Sequence, residues 1–159
     1  MTDVAVQTLP VRPEALADIP AIEALILRAF GPGRFAKTAE RLREGGTIAA
    51  GFVVRDEDGR LIGSVRLWSI TVGGKPALFL GPIAVDADNR RGGLGADLVQ
   101  ACIDYAAQTG VGVLLVGDPP YFSRFGFVAA PDAVLPGPVD RRRVMWRGAG
   151  APFGVVAIA

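Results

Sequence analysis

The chain of 159 residues contains no histidine. That absence excludes a Ser-His-Asp triad, a Cys-His nucleophile pair and any zinc site built on imidazole. Cysteine is nearly as scarce. The single Cys102 has no partner for an internal disulfide, and its place inside a periodic apolar segment makes it a small buried hydrophobe rather than a nucleophile. Two lysines stand against fifteen arginines, yet carboxylates balance them to a formal net charge of +1, which argues against nucleic acid or an acidic membrane as partner. No run approaches the roughly 18 apolar residues of a membrane span, and no basic stretch leads into an apolar one at the start. The expected setting is therefore the cytoplasm. Half of the residues are hydrophobic, enough at this length for one domain, 1–159, with a substantial core.

Apolar periodicity then sets out alternating elements. Val4–Val11 reads as a first strand, interrupted at Pro10 and so at a sheet edge. Asp18 is placed to cap a helix whose Ile19, Ile22, Leu25, Ile26, Ala29 and Phe30 share one face. Gly31-Pro32-Gly33 stops it, and a more polar helix runs over Phe35–Glu44. Three strands follow, Ile48–Arg55, Leu61–Ile70 and Ala77–Val85, with Asp58-Gly59 and Gly73-Gly74 as the turns between them. A long helix after residue 93 leads to a buried strand over Gly112–Gly117. In the Pro- and Gly-rich tail, 143–146 and 153–158 each qualify as a last strand.

The segment between Val85 and Asp97 is the most specific. It reads Asp-Ala-Asp-Asn-Arg90-Arg91-Gly92-Gly93-Leu94-Gly95-Ala96, a polar turn that becomes a glycine-rich corner opening the long helix. The first turn of a helix leaves about four backbone N–H groups unpaired and carries roughly half a positive charge, so it lacks an anion. Glycines let a phosphate approach the backbone, and Arg90 and Arg91 add two permanent cations. A P-loop needs Lys-Ser/Thr after the last glycine, where this chain has Ala96-Asp97. A dinucleotide fingerprint needs a small residue where Leu98 stands.

The corner resembles the Arg/Gln-x-x-Gly-x-Gly/Ala signature of the GCN5-related N-acetyltransferases, matched as Arg90-x-x-Gly93-x-Gly95. Asp118–Phe127 is similar to that family's short fourth helix ending in Gly-Phe, so the resemblance covers roughly residues 5–130. It implies an α/β fold with a mixed, mostly antiparallel sheet flanked by helices, whose fourth and fifth strands splay apart. It further implies acetyl-CoA as co-substrate, its pyrophosphate held by Arg90, Arg91, Gly92, Gly93, Leu94, Gly95 and Ala96, and its pantetheine arm against the backbone of Ile83, Ala84 and Val85. Pro82 removes a ladder hydrogen bond and marks either the bulge at that splay or a sheet edge.

Direct attack by a primary amine of a small molecule or peptide on the thioester is the reaction so implied. It calls for an oxyanion donor, a base, and an acid for the leaving thiolate. The family's acid is a tyrosine five residues before the final Phe of Tyr-x-x-x-Gly-Phe, which here is Phe122. Tyr121 is the substitute, although adjacent helical residues point about 100° apart. Loss of such an acid costs roughly 10²–10⁴-fold, so Phe122 leaves open a second reading, a non-catalytic acyl-CoA-binding module. No carboxylate stands out as base, and Asp118 reads as the cap of the helix that Pro119 begins. Arg124 is either a contact for the coenzyme's 3′-phosphate or a solvated charge. Trp68 either lines an acceptor pocket with Phe30 and residues 31–33 or belongs to the core. Arg141-Arg142-Arg143, without interleaved aromatics, reads as a solvated turn. The late strands suit a homodimer.

Overall fold

The computed structural model describes residues 9–30 and 45–159. The expected helix Phe35–Glu44 and the Gly31-Pro32-Gly33 stop lie outside the described residues. So does most of the expected strand Val4–Val11. In its described part, Leu9–Val11 is not strand, and the edge strand β1 is Arg12–Pro13, which pairs with Val53 and Phe52. Proline is tolerated there because an edge strand needs donors on one side only.

A 3₁₀ turn over Leu16–Asp18 leads into α1, Ile19–Phe30. Asp18 does not cap α1 as expected. Its carboxylate turns back to accept the Ala15 N–H at 2.7 Å and pairs with Arg55 at 2.6 Å, closing the preceding turn instead. Spaced three and four apart, Ile22, Leu25 and Ile26 face the sheet and pack with Val53, Leu61 and Ala84. Ile19 and Phe30 remain over a third exposed, since the ends of α1 pass beyond that contact.

The central meander is β2, Thr47–Arg55, β3, Leu61–Val72, and β4, Lys75–Val85. Asp56 Oδ1 accepts the Asp58 and Arg60 N–H groups at 2.9 Å, an Asx turn that sets the first hairpin, with Gly59 at φ +86°. A 3₁₀ turn over Ala87–Gly92 follows, then α2, Leu94–Thr109, and β5, Val113–Val116. The short helix α3 is Pro119–Phe122. Beyond it come β6, Val128–Ala129, β7, Ala133–Val134, β8, Val144–Arg147, and β9, Gly154–Ile158. Both tail segments are thus strands. β8 lies between β5 and β6, and β9 takes the place beside Ile70–Val72 of β3 where β2 has ended.

The sheet order is β1-β2-β3-β4-β5-β8-β6, antiparallel except where β4 meets β5 and β7 meets β9. One face is covered by α2 through Leu94, Leu98, Val99, Cys102, Ile103 and Ala106. Leu98 and Val99 are fully buried, so truncating Leu98 to alanine costs about 2–5 kcal/mol. The other face is divided between α1 and a second cluster containing Trp68, Phe79, Leu114 and Trp146. Both helices reach β4, but its C-terminal end lacks a strand neighbour on the β5 side. That end is where the chemistry-bearing residues collect.

Candidate active site at the split between two strands

β4 and β5 pair only at Leu78–Val113 and Phe79–Leu114. Past Leu80 they separate. The register between β3 and β4 slips at the same level: Val65 faces Ile83 and Leu67 faces Leu80, so Gly81 and Pro82 together oppose Arg66. This is the bulge that a proline inside a central strand requires. Both readings of Pro82 meet here, since the bulge lies in a strand that is central at Leu78 and Phe79 but has lost its β5 neighbour by residue 82. Trp68 fastens the bulge, its indole N–H donating to the Gly81 carbonyl at 2.6 Å. It is buried in the core, and residues 31–33, expected to form an acceptor pocket with it, lie outside the described residues.

Strand alternation then decides which backbone faces the split. The Asp86 N–H donates to the Ile62 carbonyl at 2.8 Å, so the backbone of Ala84, two residues back, also faces β3. Ile83 and Val85 face the other way, toward the side β5 has vacated. Both line a cavity of about 520 Å³, whereas Ala84 packs under α1. Of the three β4 residues expected there, Ala84 is the one placed elsewhere.

The glycine corner forms the next wall. Asp86 caps the 3₁₀ turn, accepting the Asp88 N–H at 3.1 Å, and the turn uses its amides in internal bonds. The amides without an intrahelical partner are therefore those of the first turn of α2, around Leu94–Ala96. Gly93 precedes it at φ +75°, a conformation that favours glycine. Gly93, Gly95 and Ala96 all line the cavity, while the Leu94 side chain is buried beneath them. The backbone of Arg90, Arg91 and Gly92 belongs to the preceding turn.

Tyr121 supplies the facing wall, and Phe122 does not. The helix α3 begins at Pro119 as expected, so the two rings diverge: Phe122 enters the core against Phe127, ring centroids 5.9 Å apart, and Tyr121 lines the cavity. Asp118 stands at the cap position, but its side chain makes no capping bond. The N–H groups of Tyr121 and Phe122 go to its carbonyl instead. Arg124 lies over the Tyr121 ring at 4.7 Å and lines the same cavity, so its charge is poised at the site rather than merely solvated. From α1, Ala29 and Phe30 close the remaining side.

Two interactions that sequence reasoning missed hold this frame. Asp86, 7% exposed, pairs with Arg60 at 2.8 Å and Arg28 at 3.5 Å, tying the last turn of α1 to the start of the loop. The Asp88 N–H bond and then the two guanidinium groups hold its carboxyl below the usual carboxylate range. The Asp-x-Asp spacing before the corner was the available signal. Glu14 reaches across Gly51 to grip Arg66 with both oxygens, at 3.0 and 3.1 Å. No local pattern announces that pair.

The remaining candidates take structural places. Cys102 is fully buried and its thiol is pushed up to about 12 by desolvation. Asp140 caps the 3₁₀ turn Arg141–Arg143 and pairs with Arg142 at 3.1 Å, as a solvated turn should. Among the described residues no helix is long and apolar enough to cross a membrane.

A sheet split at a bulge, with a helix N-terminus opening beside it, is the arrangement of an acyltransferase that holds an acyl carrier. The profile of the acetyltransferase (GNAT) family matches residues 19–127, and the chain belongs to that family of N-acetyltransferases. Its relatives include the N-acetyltransferase YhbS of Escherichia coli K12, 35% identical over 152 residues, covering 94% of this chain and 87% of that protein. The crystal structure of Escherichia coli YhbS in complex with CoA superposes with a TM-score of 0.83 at 31% identity, covering 100% of this chain and 93% of the other. A GNAT acetyltransferase from Brucella melitensis in complex with acetyl-CoA shares the fold, with a TM-score of 0.72 at 23% identity and 96% coverage of each chain.

Proposed function

We propose that residues 1–159 form a single domain that transfers the acetyl group of acetyl-CoA to a primary amine of a small molecule or peptide, by direct attack in a ternary complex. The observation that carries this reading is the convergence of Ile83 and Val85, Gly93–Ala96 and the Tyr121 side chain on one cavity. The CoA and acetyl-CoA in the related structures support the choice of carrier.

In this reading the diphosphate lies on the amides of Leu94–Ala96, with Arg90 and Arg91 beside it and Arg124 near the mouth. The pantetheine arm runs along the outward-facing backbone of Ile83 and Val85, as an added strand would. A neutral amine attacks the thioester carbon, and the backbone N–H at Ile83 steadies the oxyanion. The C–S bond then breaks, the Tyr121 phenol protonates the departing thiolate, and the surplus proton on the acylated nitrogen passes through solvent to restore the phenol. The binding-module reading rests on Phe122; the packing of that ring on Phe127 and the place of Tyr121 on the cavity wall favour the catalytic one. A second copy of the chain is a fitting partner, through Val134 and Val155 of the late strands, which are 47% and 65% exposed.

Incubation of the protein with acetyl-CoA and a mixed amine library, read as free thiol, tests the proposal. Thiol release that depends on one class of amine supports it. Coenzyme binding with no thiol above background across a broad panel overturns it.

A further inference from the structure

At the opposite end of β4 and α2 lies a second cavity, of about 580 Å³, which shares no lining residue with the one at Tyr121. Its walls are the start of β4 at Lys75, the last turn of α2, and the loop 148–153 between β8 and β9. Its size suits a small molecule, for which cavities of roughly 300–1,000 Å³ are usual.

The polar groups around it are unbalanced. Lys75 and Arg147 line it and no aspartate or glutamate does. Arg147 is held in place, its Nε donating to the Phe125 carbonyl at 2.8 Å. Among the described residues neither cation pairs with a carboxylate. Trp146 also lines the cavity, is only 7% exposed, and its Nε1–H has no acceptor among the described residues. Buried donors without an acceptor are rare and unfavourable. The six-membered ring of this indole packs on two glycines of the same cavity, its Cζ2 crowding the point where a Cβ on Gly112 would stand and lying 3.2 Å from one on Gly148, with Cε2, the neighbour of Nε1, at 2.8 and 3.3 Å. Neither position has room for a side chain. The N–H itself, one bond from Cε2, is out of solvent contact beneath Gly112 and Gly148.

We propose that this cavity is a second binding site, for a monocarboxylic acid with a short apolar body. The Gly148 backbone gives way on binding so that one carboxylate oxygen accepts from the Trp146 indole, the other faces the Lys75 ammonium, and the apolar body lies on Ala77, Val111 and Pro152. Two side-chain cations without a carboxylate in the lining are what select an anion over a neutral ligand.

Indole N–H resonances read this directly. Octanoate is titrated into the full chain, with octanamide as the neutral match, and the Trp68 indole, bonded to Gly81, serves as internal reference. The expected result is a saturable shift of the Trp146 resonance with octanoate, little with octanamide, and little change at Trp68. Lys75→Gln, a surface substitution, weakens octanoate about two- to fivefold. A Trp146 resonance that stays fixed at millimolar octanoate, or that moves equally with the amide, overturns the proposal. Coenzyme A titrated into the same sample reports separately through the amides of Gly93–Ala96, so failure at one cavity is distinguishable from failure at the other.

Discussion

The Tyr121 hydroxyl stands 3.4 Å from the point that a Cβ on Gly95 would occupy. The first turn of α2 and the helix after β5 therefore meet at one spot, so that the proposed phosphate donors and the proposed acid share a wall. Their separation in sequence is bridged by β5, which leaves the sheet beside β4 only to return α3 across the split.

Tyr121→Phe removes the hydroxyl and keeps the ring that packs on Phe125 and under Arg124. Turnover is expected to fall about 10²-fold with coenzyme affinity unchanged, measured as thiol release beside a binding titration. Adding Phe122→Tyr to that variant does not restore activity, because position 122 points into the core. Recovery in the double variant would assign the acid to position 122.

Gly93 and Gly95 respond differently to a side chain. Gly93 has φ +75° and open space around it, so valine there is strained without clashing and costs about 1–2 kcal/mol. The melting temperature should drop by roughly 2–8 °C. Gly95 has no such backbone demand, and Gly95→Val should melt close to the parent chain in the same scan.

Acid should loosen the site frame. The carboxyls of Asp86 and Asp18 titrate below their ordinary value of 3.8 in the folded chain, Asp86 chiefly through the Asp88 N–H and Asp18 chiefly through Arg55. A depressed folded-state value means that the stabilisation is present above the unfolded-state value and is lost as pH falls through the folded one. Denaturant midpoints should thus decline below about pH 4. Asp86→Asn should be less stable than the parent at pH 7 and should show a shallower acid decline. Parallel declines in the two chains would remove Asp86 from that role.

Cys102 should resist alkylation in the folded chain. With its thiol held near 12 and its side chain fully buried, iodoacetamide at pH 8 modifies it only after denaturation. Because the folded value lies above the ordinary 9.0, stability is unaffected at neutral pH and declines as alkali ionises the unfolded thiol first. Rapid labelling of native protein would contradict its place beneath α2.

Periodicity and punctuation carried most of this fold. Ile22, Leu25 and Ile26 announced the buried stripe of α1, Asp58-Gly59 and Gly73-Gly74 the hairpins, and Pro82 the bulge, because each is a local consequence of local residues. Legibility failed where the partner was distant. Asp18 is drawn from capping by Arg55, and Glu14 is matched to Arg66 across 52 positions, which no window on the sequence contains. The choice between Tyr121 and Phe122 was decided by packing: the ring that Phe127 and Gly117 accept goes inward, leaving its neighbour to the cavity. Short strands such as Val128–Ala129 escaped notice because two residues carry no period.

Calorimetric titration of coenzyme A into the parent chain and into Gly95→Val is the most direct check on where the carrier sits. A helix N-terminus that cradles the diphosphate predicts binding to the parent and at least a tenfold loss, about 1.4 kcal/mol, in the variant. Equal affinity in the two chains, or no heat from well-folded parent protein at millimolar coenzyme, would contradict it.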